Sequence, residues 1–195
     1  LDKQGYKKPT PIQEKAIPHI LDGRDVLGAA QTWTGKTAAF AIPTLQILSR
    51  EKELSNFART IKCLILTPTR ELAIQIEDNI KQYWAELWLR HLVIFGWVNQ
   101  HSQVKKLKSW VDILVATPWR LLDLMNQWFV DLRKVEIFTL DEADRMLDMW
   151  FINDVKKVLT KLPSKRQTLF FSATMPKIIS GLADKILNNP IKIEI

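Results

Sequence analysis

Seven short runs rich in β-forming residues, at positions 25–29, 62–66, 91–95, 112–116, 137–140, 167–171 and 191–195, alternate with segments of helical apolar spacing at 35–49, 71–84, 120–127, 153–162 and 176–187. Most of the runs are apolar on both faces, which predicts strands in a sheet covered on both sides. Strands alternating with helices predict parallel βαβ units with right-handed crossovers, hence an α/β domain around a mostly parallel central sheet. In such sheets ligands bind beyond the carboxyl ends of the strands, so chemistry is expected in the residues that follow each run.

The 195 residues are enough for one such domain with a full core. A hydrophobic fraction of 47% and a charged fraction of 25%, with charge spread along the chain, exclude a disordered protein. The longest apolar runs are far too short to span a bilayer and no charged-then-apolar leader opens the sequence, so we expect a soluble, cytoplasmic protein without a membrane partner. The single cysteine, Cys63, lies in an apolar run, which excludes an internal disulfide or a thiolate metal cluster and predicts a core residue. A net charge of +7 favours a polyanionic partner, although many basic proteins bind no nucleic acid.

After the first run comes Ala30-Gln31-Thr32-Trp33-Thr34-Gly35-Lys36-Thr37, leading into a helical segment. Gly-Lys-Thr at a strand-to-helix turn is the end of a phosphate-binding P-loop. Backbone N–H groups at the helix start would surround the phosphates, Lys36 would reach the terminal ones, and the Thr37 hydroxyl would join Mg²⁺. The loop is only moderately specific, since Ala30 replaces the first glycine of the general pattern. Asp141-Glu142-Ala143-Asp144 follows the run at 137–140. There Asp141 would hold Mg²⁺ through water while Glu142 positions and deprotonates an attacking water. Alone, this motif is nearly as well read as a solvated acidic turn. The two elements in this order, on strands of one sheet, point to a nucleoside triphosphatase.

With these residues in view, the chain resembles, over essentially its whole length, the first RecA-like domain of the DEAD-box RNA helicases. The resemblance implies a RecA-like P-loop fold, ATP and Mg²⁺ as cofactors, RNA as substrate and local unwinding of short duplexes. The run 5–13, containing Tyr6, Lys8 and Gln13, resembles the family's Q motif, in which the glutamine amide reads the adenine edge; an amide matches adenine's donor and acceptor together. Residues 30–37 resemble motif I and Asp141 to Asp144 spell motif II. Ser172-Ala173-Thr174 resembles motif III, whose hydroxyls, with Asp144, would couple the acidic site to closure against a C-terminal RecA-like domain absent from this chain. By resemblance Pro68, Thr69, Arg70, Gly96, Thr117, Pro118 and Arg120 line the RNA path and grip sugar and phosphate without reading bases. For any single basic residue, a solvated surface charge is the better reading. The stretches around Gly23, Lys36 and Asp141 resemble bacterial members of the RhlE-like group.

The departures from the family are tryptophans. Trp33, Trp97, Trp119 and Trp150 stand where the family has glycine, and Trp110 and Trp128 fall at turns where relatives commonly have it; Trp84 and Trp88 are not assigned to either group. Anchoring in a core does not explain repeated coincidence with motif glycines, whereas substitution of glycine does. An indole at Trp33 predicts weaker nucleotide binding, because such a loop favours φ > 0. Trp97 and Trp119 predict weaker RNA binding, or else stacking on a base. Strain of roughly 1–3 kcal/mol at each such position would take up much of a domain's stability. Three functions therefore stand: the ATP-binding half of an RNA helicase, an RNA-binding scaffold with a disabled P-loop, and, less favoured by the Asp-Glu-Ala-Asp run, a DNA motor of the same fold.

Overall fold

The computed structural model describes residues 8–31, 33–54, 60–83 and 89–195. Tyr6, Thr32, Trp84 and Trp88 lie outside the described residues. Seven strands form one sheet: β1 (Val26–Ala29), β2 (Cys63–Leu66), β3 (His91–Ile94), β4 (Ile113–Ala116), β5 (Ile137–Leu140), β6 (Gln167–Ser172) and β7 (Ile191–Glu194). All pairings are parallel and the spatial order is β3-β4-β2-β5-β6-β1-β7. Each strand matches one expected run to within a residue. The helices are α1 (Pro11–Leu21), α2 (Lys36–Leu54), α3 (Arg70–Tyr83), α4 (Gln100–Lys108), α5 (Pro118–Asn126), α6 (Ala143–Asp148), α7 (Ile152–Leu159) and α8 (Lys177–Ile186). The sequence pattern had predicted α2, α3, α5, α7 and α8 but not α1, α4 or α6.

Alternation of side chains along each strand divides the core in two. Leu64 and Leu66 of β2 face a cluster with Phe138, Phe170 and residues of α5 to α8, while Cys63 and Ile65 face another built by α1, α2 and α3. Strands β2, β4 and β5 are buried along their whole length, as a doubly covered parallel sheet requires. Cys63 is core, its thiol pushed well above the usual range by burial alone. Asp25 is a buried carboxylate that accepts from the backbone N–H of Thr168 and of Asn188, both at 2.7 Å, tying β1 to β6 and to the turn before β7. Among the described residues no helix is long and apolar enough to cross a membrane.

Three of the tryptophans, Trp110, Trp128 and Trp150, stand just past helix ends, at left-handed positions. At α1 the N–H of Gly23 donates to the Ile20 carbonyl and that of Arg24 to His19, with Gly23 at φ 74°, a left-handed stop that glycine favours. The same paired bonds close α5, from Trp128 to Met125 and Phe129 to Leu124, and α6, from Trp150 to Leu147 and Phe151 to Met146. Here the left-handed residue is tryptophan, with φ 64° at Trp128 and 63° at Trp150. Trp110, one residue beyond the cap of α4, has φ 57°; Trp33 and Trp97 have 72° and 63°. Trp119 differs, lying in the first turn of α5 without a positive φ. The indoles point outward: Trp33, Trp97, Trp128 and Trp150 are between 87% and 98% exposed, so the strain is in the backbone and not in packing.

Candidate active site and nucleic-acid interface

Strand β1 ends at Ala29 and the chain turns through residues 30–35 into α2, so Lys36 and Thr37 open that helix beyond a strand's carboxyl end. The turn is held by the Ala30 N–H donating to the Ser172 carbonyl and the Thr34 hydroxyl donating to the Gln31 carbonyl. Gly35 is left-handed at φ 89°, and a Cβ there would lie 2.5 Å from the Gln13 amide nitrogen, so only glycine allows that approach. Gln13 donates from Nε2 to the Gly35 carbonyl and accepts at Oε1 from the Thr10 N–H, which caps α1 and docks it on the loop. Each end of the amide keeps one further bonding position, a donor and an acceptor side by side. Lys8 is exposed just before this helix.

Two strands away in the sheet, β5 delivers Asp141 and Glu142. Lys36 Nζ lies 2.8 Å from Glu142 Oε1, and both side chains are at least 95% buried. Glu142 is left-handed (φ 53°, ψ 49°) and caps α6, a strained conformation of the kind that functional residues retain. Asp141 is buried, its Oδ1 has no hydrogen-bond partner, and burial raises its pKa to about 7, an effect only partly offset by the charge of Lys36. A buried carboxylate oxygen with nothing to bind, beside the start of α2 where Thr37 lies, has the chemistry of a Mg²⁺ ligand set completed by phosphate and water. A cavity of about 170 Å³ lies among Trp33, Lys36, Thr37, Asp141 and Glu142. The Lys36–Glu142 bridge forms part of its wall.

Asp144 connects this centre to the end of β6. Its Oδ2 accepts from both the N–H and the hydroxyl of Thr174 at 2.8 Å, its own N–H donates to the Ser172 hydroxyl, and Ser172 donates to the Thr174 carbonyl. These bonds hold the Asp144 carboxyl below its usual range against the opposing cost of burial. The three residues expected to couple the acidic site to domain closure are thus brought together.

Pro68, Thr69 and Arg70 follow β2, Gly96 follows β3, and Thr117 and Pro118 follow β4, so adjacent strands deliver them to one rim. All but Pro118 border a cleft of about 740 Å³. Arg70 is exposed, with its guanidinium 4.8 Å from the Phe95 ring centre. Arg120 does not join them on the surface. It is buried, donates to the Val98 carbonyl at 3.2 Å and lies 3.6 Å from Asp123, so it braces the loop after β3. Gln103, which sequence reasoning missed, braces the other side: its amide donates to the Phe95 carbonyl and accepts from the Phe95 N–H. Nothing in the sequence distinguishes this glutamine from the polar residues around it.

A family model described as DEAD/DEAH box helicase matches residues 10–181. The DEAD-box ATP-dependent RNA helicase RhpA of Helicobacter pylori is 45% identical over 98% of this chain, and CshA of Streptococcus pneumoniae is 40% identical over all of it. The chain spans only 37% and 36% of those two relatives. Among solved structures, a DEAD box protein from Methanococcus jannaschii superposes with a TM-score of 0.90 at 42% identity, over 99% of this chain and 51% of that one. A hypothetical ATP-dependent RNA helicase from Sulfolobus tokodaii gives 0.90 at 36%, over 100% and 55%. The motifs, the sheet order and these matches agree: the chain belongs to the DEAD/DEAH box helicase family and has the fold of that family's N-terminal RecA-like domain.

Proposed function

We propose that this domain is the ATP-binding half of an RNA-dependent ATPase that separates short RNA duplexes in the cytoplasm, closing against a C-terminal RecA-like domain. The observation that carries the reading is the buried meeting of Lys36 with Glu142 beside the unpartnered Asp141 oxygen. These are a phosphate-binding cation, a carboxylate able to take a proton from water, and a metal ligand, all at strand ends. Mg²⁺ when bound would neutralise phosphate charge, held by Asp141 and Thr37. Lys36 binds the terminal phosphates once it leaves Glu142, and Glu142 orients water and accepts its proton. Gln13, with its spare donor and acceptor, favours adenine. Asp144, Ser172 and Thr174 form the link through which closure reaches the acids. Thr69, Arg70 and Thr117 grip RNA backbone from the rim. Hydrolysis and unwinding belong to the two-domain protein, whose second half would supply an arginine to the transition state. An RhlE-like place within the family agrees with the residues around Gly23, Lys36 and Asp141.

One observation favours a second reading, an RNA-binding module with a silent nucleotide site: Trp33 puts an exposed indole on the rim of the phosphate cavity at φ 72°. Titration calorimetry with Mg-ATP separates the two. Binding that Lys36→Ala abolishes supports the catalytic reading. A folded parent chain without binding, but with salt-sensitive RNA association, replaces it with the module.

A further inference from the structure

We propose that the cleft at the carboxyl ends of β2, β3 and β4 holds an unpaired RNA base stacked on the indoles of Trp119 and Trp97, so that this chain grips RNA by its bases as well as its backbone. The proposal rests on the RNA reading given above.

Trp119 lies against Gly96: a Cβ on Gly96 would be only 3.3 Å from Trp119 Cε3, so the indole's six-membered ring packs on bare backbone. The residue is still 55% exposed, and Trp97, on its left-handed turn, is 98% exposed. Both line the cleft, whose volume of about 740 Å³ accommodates a nucleotide. Two indoles displayed at one opening are unusual for a solvated surface and suited to a ligand with a flat apolar face. The loop that carries Gly96 and Trp97 is held on either side, by the Gln103 amide on Phe95 and by Arg120 on the Val98 carbonyl. A platform fixed in advance loses little entropy when a ligand stacks on it.

The electrostatics favour a nucleotide over an apolar peptide. Helices α3, of 14 residues, and α5, of 9, both begin at this rim, so two positive helix ends converge on it. Arg70 adds an exposed cation, Glu71 is the one acid among the described lining residues, and the chain as a whole carries +7. Phosphates flanking a stacked base find donors there, whereas an apolar segment would leave those donors unmatched.

The test measures fluorescence anisotropy of the intact 195-residue chain with a labelled short oligouridylate and with an abasic ribose-phosphate oligomer of equal length. The oligouridylate should bind roughly 5- to 150-fold more tightly, the range expected for one stacked base. Trp119→Ala should erase that preference and Trp119→Phe should retain most of it, with circular dichroism confirming that each variant folds. Equal affinity for the two oligomers, or a preference that survives Trp119→Ala, overturns the proposal while leaving salt-dependent RNA binding intact. If neither oligomer binds at low salt, the RNA reading falls with it. Base-independent RNA affinity alongside saturable binding of an amphipathic helical peptide also overturns it, and assigns the cleft to a protein partner.

Discussion

Asp141 and Glu142 are neighbours, both buried, and the structure sets them apart by partner: Glu142 pairs with Lys36, whereas Asp141 Oδ1 has no hydrogen-bond partner. With its pKa raised from 3.8 to about 7, Asp141 in the folded chain retains a proton that the unfolded chain has released. Its contribution to stability is therefore complete at acid pH, declines as pH rises from about 4 to 7, and is absent above that window. Denaturant midpoints measured across this range should fall more steeply for the parent than for Asp141→Asn. In the proposed mechanism Glu142 competes with phosphate for Lys36, and Glu142→Gln replaces an ion pair with a weaker hydrogen bond from the same ammonium to a neutral amide oxygen. Nucleotide affinity should then rise by about 1 kcal/mol, the difference between the two kinds of bond, which calorimetry would detect as roughly fivefold tighter binding. An unchanged or weaker affinity would mean that the bridge does not restrain nucleotide entry.

Helix ends and strand ends were unequally legible. The strands could be read because parallel, doubly covered strands are continuous apolar runs, and the order of the motifs in the sequence places Lys36, Asp141 and Ser172 at or beyond their carboxyl ends. Three helices could not be read, for separate reasons. Pro11 and Pro18 disguise α1, α6 is only six residues long and overlaps the acidic motif, and α4 is so polar that Gln103 is its one buried residue. Arg120 resembled a surface phosphate contact because its long side chain folds inward only through tertiary contacts. At the ends of α5 and α6 the fold imposes a left-handed residue whatever its identity. Trp128→Gly and Trp150→Gly should each raise stability by about 1 kcal/mol, read from the urea midpoint. Trp119→Gly should do the opposite by about 0.5–1 kcal/mol, because that position is helical.

At the scale of the molecule, the sheet order β3-β4-β2-β5-β6-β1-β7 was beyond the sequence, since local patterns do not reveal which strand pairs with which. Yet this order brings the turn that opens α2 opposite the acids of β5 and gathers Thr69, Arg70, Gly96 and Thr117 on one rim, at the ends of β2, β3 and β4. The centre depends on close packing of β1 against β6, where Gly28 is in register with Phe171 and a Cβ would lie 2.5 Å from that ring. Phe171 is fully buried and leans on Phe40, so it has nowhere to move. Gly28→Ala should cost about 1–3 kcal/mol, visible as a lower thermal midpoint.

The outward tryptophans also have an optical consequence. An indole in water emits at longer wavelength than one enclosed by protein or stacked on a base, and this chain has distributed such emitters among its working parts: Trp33 over the phosphate turn, Trp97 and Trp119 in the cleft, Trp128 and Trp150 at helix exits. Each binding event would be recorded in the spectrum of the unlabelled protein, and single-tryptophan variants would separate the signal of nucleotide from that of RNA.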